Sequence, residues 1–158
     1  MARWQEFAAQ KPELAELARK ALWHEETGLN FAFLATVRKD GTPRIHPVCP
    51  TFWEGDLYLV AEGKTPKKQD LYRNGRYALH TTMSFKHLAD KQDEKDQAQF
   101  TISGAAIEAN DPETRKNVES TYREWKFGAD EVVFRLSIER ALHTTWKDGY
   151  TWDKWSES

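Results

Sequence analysis

Hydrophobic and polar positions change period several times along the chain, and each change predicts an element. From Trp4 to about residue 26 the apolar residues recur at helical spacing, with Leu14, Leu17, Ala18, Ala21 and Leu22 in one stripe. Pro12 followed by Glu13 divides this stretch into two helical pieces, because proline fits a helix only in its first turn. Gly28 closes the N-terminal helical segment, taken as residues 1–27. The period then drops to two. Phe31, Phe33, Ala35 and Val37 alternate with Ala32, Leu34 and Thr36, which predicts a strand with apolar residues on both faces and a central place in a sheet.

Asp40-Gly41 predicts a hairpin, since the turn needs the positive φ that Asp and Gly adopt at little cost. The second strand runs from Arg44 to Trp53. Pro43, Pro47 and Pro50 lack the N–H that a paired central strand needs, so this strand belongs at an edge, at a bulge or against a ligand. Glu54-Gly55-Asp56 turns the chain into a third strand, Leu57 to Ala61, and Thr65-Pro66 opens a helix through Tyr72 with Thr65 as its N-cap. Asn74-Gly75 precedes a fourth strand, Arg76 to Met83. Gln99 to Ala109 is a fifth, interrupted by Gly104; Asp111-Pro112-Glu113 starts a helix to about Phe127; Glu131 to His143 is the sixth strand. The charged stretch 86–97 reads as an exposed loop or solvated helix. Six antiparallel strands joined by hairpins, with N-terminal helices and two peripheral helices, predict a mainly β fold: a barrel or sandwich, of which the barrel best removes exposed edges.

At 158 residues the chain is expected to be a single domain, residues 1–158. Seven Trp, eight Phe and five Tyr must fill a core, line a pocket or cover an interface, which makes dimerisation plausible; the aromatic tail 144–158 points to core or interface. With 23 basic and 25 acidic residues there is no global attraction for a polyanion, so nucleic acid is not expected as a partner. Cys49 is the single cysteine, which excludes an intrachain disulfide and a Cys-based zinc cluster and fits a reducing compartment. No apolar run reaches the ~20 residues that span a bilayer, so the expectation is a cytoplasmic protein with no membrane partner.

Candidate chemistry gathers between Arg44 and Lys68. Thr65-Pro66-Lys67-Lys68 puts a hydroxyl, free backbone N–H groups and two ammonium groups at a helix start, which suits a phosphate monoester, and Arg44 can complete the clamp. The same residues also describe an ordinary capped surface helix with solvated lysines. His46, His80 and His143 lie on separate strands without ligand spacing, so no metal site is expected.

Four segments in order, Leu-Ala-Thr-Val-Arg-Lys-Asp-Gly-Thr-Pro from Leu34, Pro-Arg-Ile-His-Pro-Val from Pro43, Thr-Pro-Lys-Lys-Gln-Asp-Leu from Thr65 and Gln-Phe-Thr-Ile-Ser-Gly from Gln99, resemble the FMN-binding split-barrel superfamily. That superfamily includes pyridoxamine 5'-phosphate oxidase and related flavin and deazaflavin reductases, and the resemblance covers about residues 30 to 146. It implies a six-stranded antiparallel split β-barrel that binds FMN at the interface of a homodimer and passes hydride or electrons to a small-molecule substrate. By the same resemblance Arg44 and Lys67 meet the FMN phosphate, Thr65 donates its hydroxyl, and Lys68 compensates for Pro66, which replaces the family's Arg. Ile45, His46, Pro47 and Val48 face the ring and ribityl chain, with Val60 and Ala61 on the other side. Gln99 reaches the ring from the partner subunit, and Trp146 covers the site. Cys49 stands where the vitamin B6 oxidase has Lys, and the C-terminal Arg-x-His pair is missing, so B6 oxidation is not the implied reaction. The alternatives are a reductase using a deazaflavin coenzyme, a non-enzymatic flavin- or haem-binding protein with His46 or His143 as axial ligand, and an interaction module with a decayed site.

Overall fold

In the computed structural model, which describes residues 1–23, 31–81, 98–145 and 149–158, the N-terminal stripe folds into α1 (Trp4–Gln10) and α2 (Pro12–Leu22). Pro12 occupies the first turn of α2, and Leu14, Ala15, Ala18 and Leu22 are the residues that α2 buries. Then follow β1 (Ala32–Val37), β2 (Pro43–Val48), β3 (Thr51–Trp53), β4 (Asp56–Ala61), α3 (Pro66–Asn74), β5 (Arg76–Thr81) and β6 (Ala98–Glu108). After these come α4 (Pro112–Ser120), β7 (Val132–Leu136), β8 (Arg140–Thr145) and β9 (Thr151–Ser156). Gly28, the end of the expected fourth strand at Met83, the charged stretch 86–97 and Trp146 lie outside the described residues.

Every strand pairing is antiparallel, and the order is β2-β1-β5-β6-β7-β4-β3, with β8 also on β6 and β9 on β8. The mainly β, antiparallel split-barrel class expected from the sequence holds, as a curled half-barrel sheet with nine described strands where six were expected. Three local causes account for the difference. The second expected strand breaks at Cys49-Pro50, and Thr51 then donates its hydroxyl to the Thr121 hydroxyl at 2.7 Å as β3 starts. The sixth breaks between Leu136 and Arg140, and the tail adds β9 along β8. The last helix stops at Ser120 rather than near Phe127. There Tyr122, Trp125 and Phe127 pack on one another at 5.2 to 5.8 Å, and the Phe127 N–H donates to the Glu119 carboxylate at 2.7 Å, turning the chain back.

The break in the sixth strand divides the sheet. On one edge of β6, residues 98–103 pair with β8 and 106–108 with β7; the other edge pairs with β5. Between the two partners, Ser137 bridges the gap: its N–H and hydroxyl both donate to the Ala105 carbonyl at 2.9 Å, and its Oγ accepts from the Ala105 N–H at 3.1 Å. The Ile138 N–H donates to the Ala2 carbonyl at 2.8 Å, so the N-terminus is stitched into the same break.

β4 is buried along its whole length because both its faces are covered. Leu57, Leu59 and Ala61 join the main core with Trp4, Phe7, Leu34, Leu79, Ile102, Phe134 and Trp155. Tyr58 and Val60 belong to a second cluster with Val118, Tyr122 and Val133, beneath α4. The proline-bearing β2 ends the sheet and pairs only with β1 among the described residues, the edge position that its missing N–H donors demand. No helix is long and apolar enough to cross a membrane, among the described residues.

Candidate functional site

The register of β1 and β2 sets the site. Thr36 lies opposite Arg44, Leu34 opposite His46 and Ala32 opposite Val48, so these six share the inward face, while Ile45 and Pro47 stand on the other face with Ala35 and Phe33. Arg44 Nε donates to Asp70 Oδ2 at 2.9 Å, the Thr36 hydroxyl donates to the same oxygen at 2.9 Å, and Arg73 holds Oδ1. Asp70 is 2 % exposed, and it clamps α3 onto both strands. Burial pushes its carboxyl up, but the bonds from Arg73, Thr36 and Arg44 outweigh that and hold it below the ordinary Asp value.

A carboxyl held low in the folded state stabilises above its unfolded value and ceases to do so as pH falls through the folded one. Unfolding free energy should therefore fall as pH drops below the ordinary Asp range near 3.8. Asp70→Asn should cost about 2 kcal/mol at neutral pH, discounted because both arginines keep partial contact with water, and should flatten that acid limb. Urea unfolding of both proteins at neutral and acid pH checks this; equal stability at neutral pH would show that the clamp is dispensable.

Thr65 takes the backbone conformation of an N-cap, yet its side chain makes no capping bond and Oγ1 is buried without a partner, contrary to the expected cap. Pro66 is first in the helix and Lys67 second. Lys67 is only 7 % exposed, and its ammonium pairs with the Glu62 carboxylate. Lys68, one residue on, points elsewhere and donates to the Asp130 carbonyl at 2.6 Å. His46 Nε2 is likewise buried with no partner. Burial, then the positive charges of Lys67 and Arg44, lower the His46 imidazole below its ordinary value, while Asp70 and Glu62 pull weakly the other way. Arg44 and Lys67 therefore lie in the electrostatic neighbourhood of His46.

Beside it, Pro47, Val48, Cys49, Val60, Glu62, Phe31 and Trp125 line a cavity of about 300 Å³. Burial, helped by Glu62, pushes the Cys49 thiol above its ordinary value, so it is a poor nucleophile. A second, basic groove of about 610 Å³ runs past Arg38, Lys39, Asp40, Arg44, Gln69, Asp70 and Arg73.

Of the residues expected at the site, Arg44, His46, Thr65 and Lys67 fall around one polar patch, and Pro47, Val48 and Val60 around one apolar cavity. Three do not join them. Ile45 is 68 % exposed on the opposite face, Ala61 is sealed in the main core, and Lys68 is tied to Asp130. Gln99, expected to reach the ring from a partner subunit, lies on β6 opposite Thr144, three strands from β2 of its own chain. Trp146 lies outside the described residues. Asp70, Glu62 and Trp125 are additions; only the isolated acid within the basic start of α3 hinted at the first. Elsewhere, His80 Nδ1 lies 2.7 Å from the Thr81 carbonyl, and His143 stacks on Phe100 at 4.6 Å. No group of three metal-ligating side chains occurs among the described residues.

A family model described as pyridoxamine 5'-phosphate oxidase matches residues 19–145. No curated protein matches. Among solved structures, a heme binding protein from Mycobacterium smegmatis superposes with a TM-score of 0.61 at 18 % identity, over 88 % of this chain and 57 % of that one. This chain thus spans little more than half the length of that protein. An F420 reductase aligns with a TM-score of 0.52 at 19 % identity, over 71 % of this chain and 88 % of that one. A protein of the NimC/NimA family from Clostridium acetobutylicum gives 0.60 at 16 % identity, over 89 % and 92 %. At these identities the superpositions establish a shared fold.

Proposed function

The chain belongs to the pyridoxamine 5'-phosphate oxidase family, and from that premise we propose that it is an FMN-binding oxidoreductase acting on a small-molecule substrate. One observation carries the reading: the Thr65 hydroxyl is buried and unpartnered at the head of a helix whose second residue is the buried Lys67, and Arg44 is bonded to Asp70 about one turn further along that helix. A buried hydroxyl without a partner costs about 1–3 kcal/mol, and a phosphate monoester held there satisfies it. Arg44 and Lys67 supply the opposing charge, and their present partners Asp70 and Glu62 keep both cations oriented. Pro47, Val48, Val60 and Trp125 give a planar ring an apolar seat that excludes water. A flavin bound there supplies the hydride and electron transfer, while the protein supplies anchoring and electrostatics.

The exposed face of β1 and β2 supports the homodimer in this proposal. Phe33 is 46 % exposed beside Pro47 and Ile45, an apolar outer surface that a second copy would cover, bringing its Gln99 to the ring. Such a flavoprotein would be cytoplasmic. A deazaflavin coenzyme is the second reading, favoured by the basic groove past Arg38, Lys39 and Arg73, which suits a longer anionic substituent than FMN carries.

The test is the absorption spectrum of the purified protein followed by titration of the apo-protein with FMN and with riboflavin. The expected result is a flavin spectrum or quenching with FMN, and weaker binding of riboflavin, which lacks the phosphate. A haem spectrum, or no flavin and no FMN binding, overturns the FMN reading; tight binding of the deazaflavin alone selects the second.

A further inference from the structure

We propose that His46 couples binding at this site to a proton: its Nε2 takes up a proton as a phosphate monoester settles against Lys67 and Arg44, and donates the resulting N–H to that anion. The inference rests on the FMN reading above and adds a residue role to it. His46 sits on the inward face of β2 between Arg44 and Val48, with Nε2 shut off from solvent and unpartnered. The charged groups around it are Lys67 and Arg44 on one side of the balance and Asp70 and Glu62 on the other. Both acids are already engaged, Asp70 by Thr36, Arg44 and Arg73 and Glu62 by Lys67. Among the described residues, the site therefore holds a buried ring nitrogen without a partner, and the two carboxylates that act on it are each already paired with a cation.

In the ligand-free protein, burial and the two cations hold the ring neutral near pH 7. A phosphate dianion changes both terms at once. It offsets the charges of Lys67 and Arg44, and it supplies the missing acceptor, so the imidazolium becomes the favoured form. Since binding then takes up a proton, affinity falls as pH rises between the free and bound values of His46, by at most about tenfold per pH unit. Below the free value the ring is already charged and this dependence vanishes.

The test is calorimetry of FMN binding to the full chain at about pH 7.5, above the second phosphate ionisation near 6, in two buffers of unequal ionisation enthalpy. The wild type should take up a fraction of a proton, at most about one, and His46→Gln, which keeps a neutral donor, should bind FMN with that uptake abolished. Nitrogen-edited NMR of the wild-type imidazole gives an independent readout: the His46 titration midpoint should rise with FMN and stay put with riboflavin. Equal proton uptake in variant and wild type, no proton uptake, or an unmoved midpoint with FMN bound overturns the role of His46 and leaves the FMN reading standing. Failure of FMN to bind at all removes both.

Discussion

Gly104→Ala is expected to lower the unfolding free energy by about 3 kcal/mol or more, a larger cost than most point changes carry. A Cβ built at this position lies 2.0 Å from the Ser137 carbonyl oxygen, 2.9 Å from its carbon and 3.2 Å from the Glu139 nitrogen, all backbone atoms. No flexible side chain stands there to move aside. The Ser137 segment is itself fixed: its carbonyl accepts from the Tyr77 hydroxyl at 2.9 Å, its N–H and Oγ hold Ala105, and the Glu139 N–H donates to Ser103 at 2.8 Å. Relief of the clash has to break one of these bonds or separate β7 and β8 from β6. For a chain of this length each kcal/mol shifts Tm by about 2–4 °C, so a fall of roughly 6–12 °C is expected in a thermal melt. Gly41→Ala is the control. Gly41 has φ +84 in the β1–β2 hairpin with open space around it, so only the backbone term of about 1 kcal/mol applies. Equal shifts for the two variants would show that the crossing at Gly104 is looser than its geometry.

The contrast between these glycines also marks where the sequence is readable. Asp40-Gly41 and Glu54-Gly55 announce their hairpins because the constraint is local: each turn needs left-handed backbone, which Gly41 alone supplies in the first at φ 84, and Glu54 and Gly55 together in the second at 47 and 75. Prolines 43 and 47 likewise place β2 at an edge from covalent structure alone. The break at Ser137 is different. Phe134, Leu136 and Ile138 continue the alternation through it, so the pattern reads as one strand, and the interruption is imposed by where β6 crosses. Its one local trace is a glycine inside a strand, whose reason lies 33 positions away in the chain. Aromatic clustering shortened α4 by the same kind of long-range argument, since Tyr122 sends its hydroxyl to the Cys49 carbonyl at 2.8 Å.

The candidate site divides in the same way. Cations near a helix start are visible in sequence, but their counter-ions are not, because Asp70 meets Thr36 and Arg44 only through the packing of α3 on β1 and β2. Nor does sequence separate Lys67 from Lys68. Successive helical residues point about 100° apart, so one lysine turns into the protein and its neighbour away toward Asp130. Ala61 and Val60 are split by the strand counterpart of that rule, one into the main core and the other toward the cavity.

That separation sets the second large effect. Lys67→Ala is expected to weaken FMN binding about 10- to 100-fold, since a charge-assisted hydrogen bond contributes about 1.5–3 kcal/mol and each 1.4 kcal/mol is tenfold. Riboflavin affinity should change little, because the lost partner is the phosphate. The folded state tolerates the change: the Glu62 carboxylate that Lys67 pairs with keeps 44 % side-chain exposure, so water replaces the ammonium and no charge is stranded in the interior. Lys68→Ala removes an ammonium committed to the Asp130 carbonyl and should cost less than about threefold. Fluorescence titrations of both variants with FMN and riboflavin give four ratios. A large loss confined to Lys67 and FMN is what the phosphate assignment requires. Equal losses for both lysines would mean a diffuse electrostatic attraction, and no loss at Lys67 would remove the anchor on which the flavin reading depends.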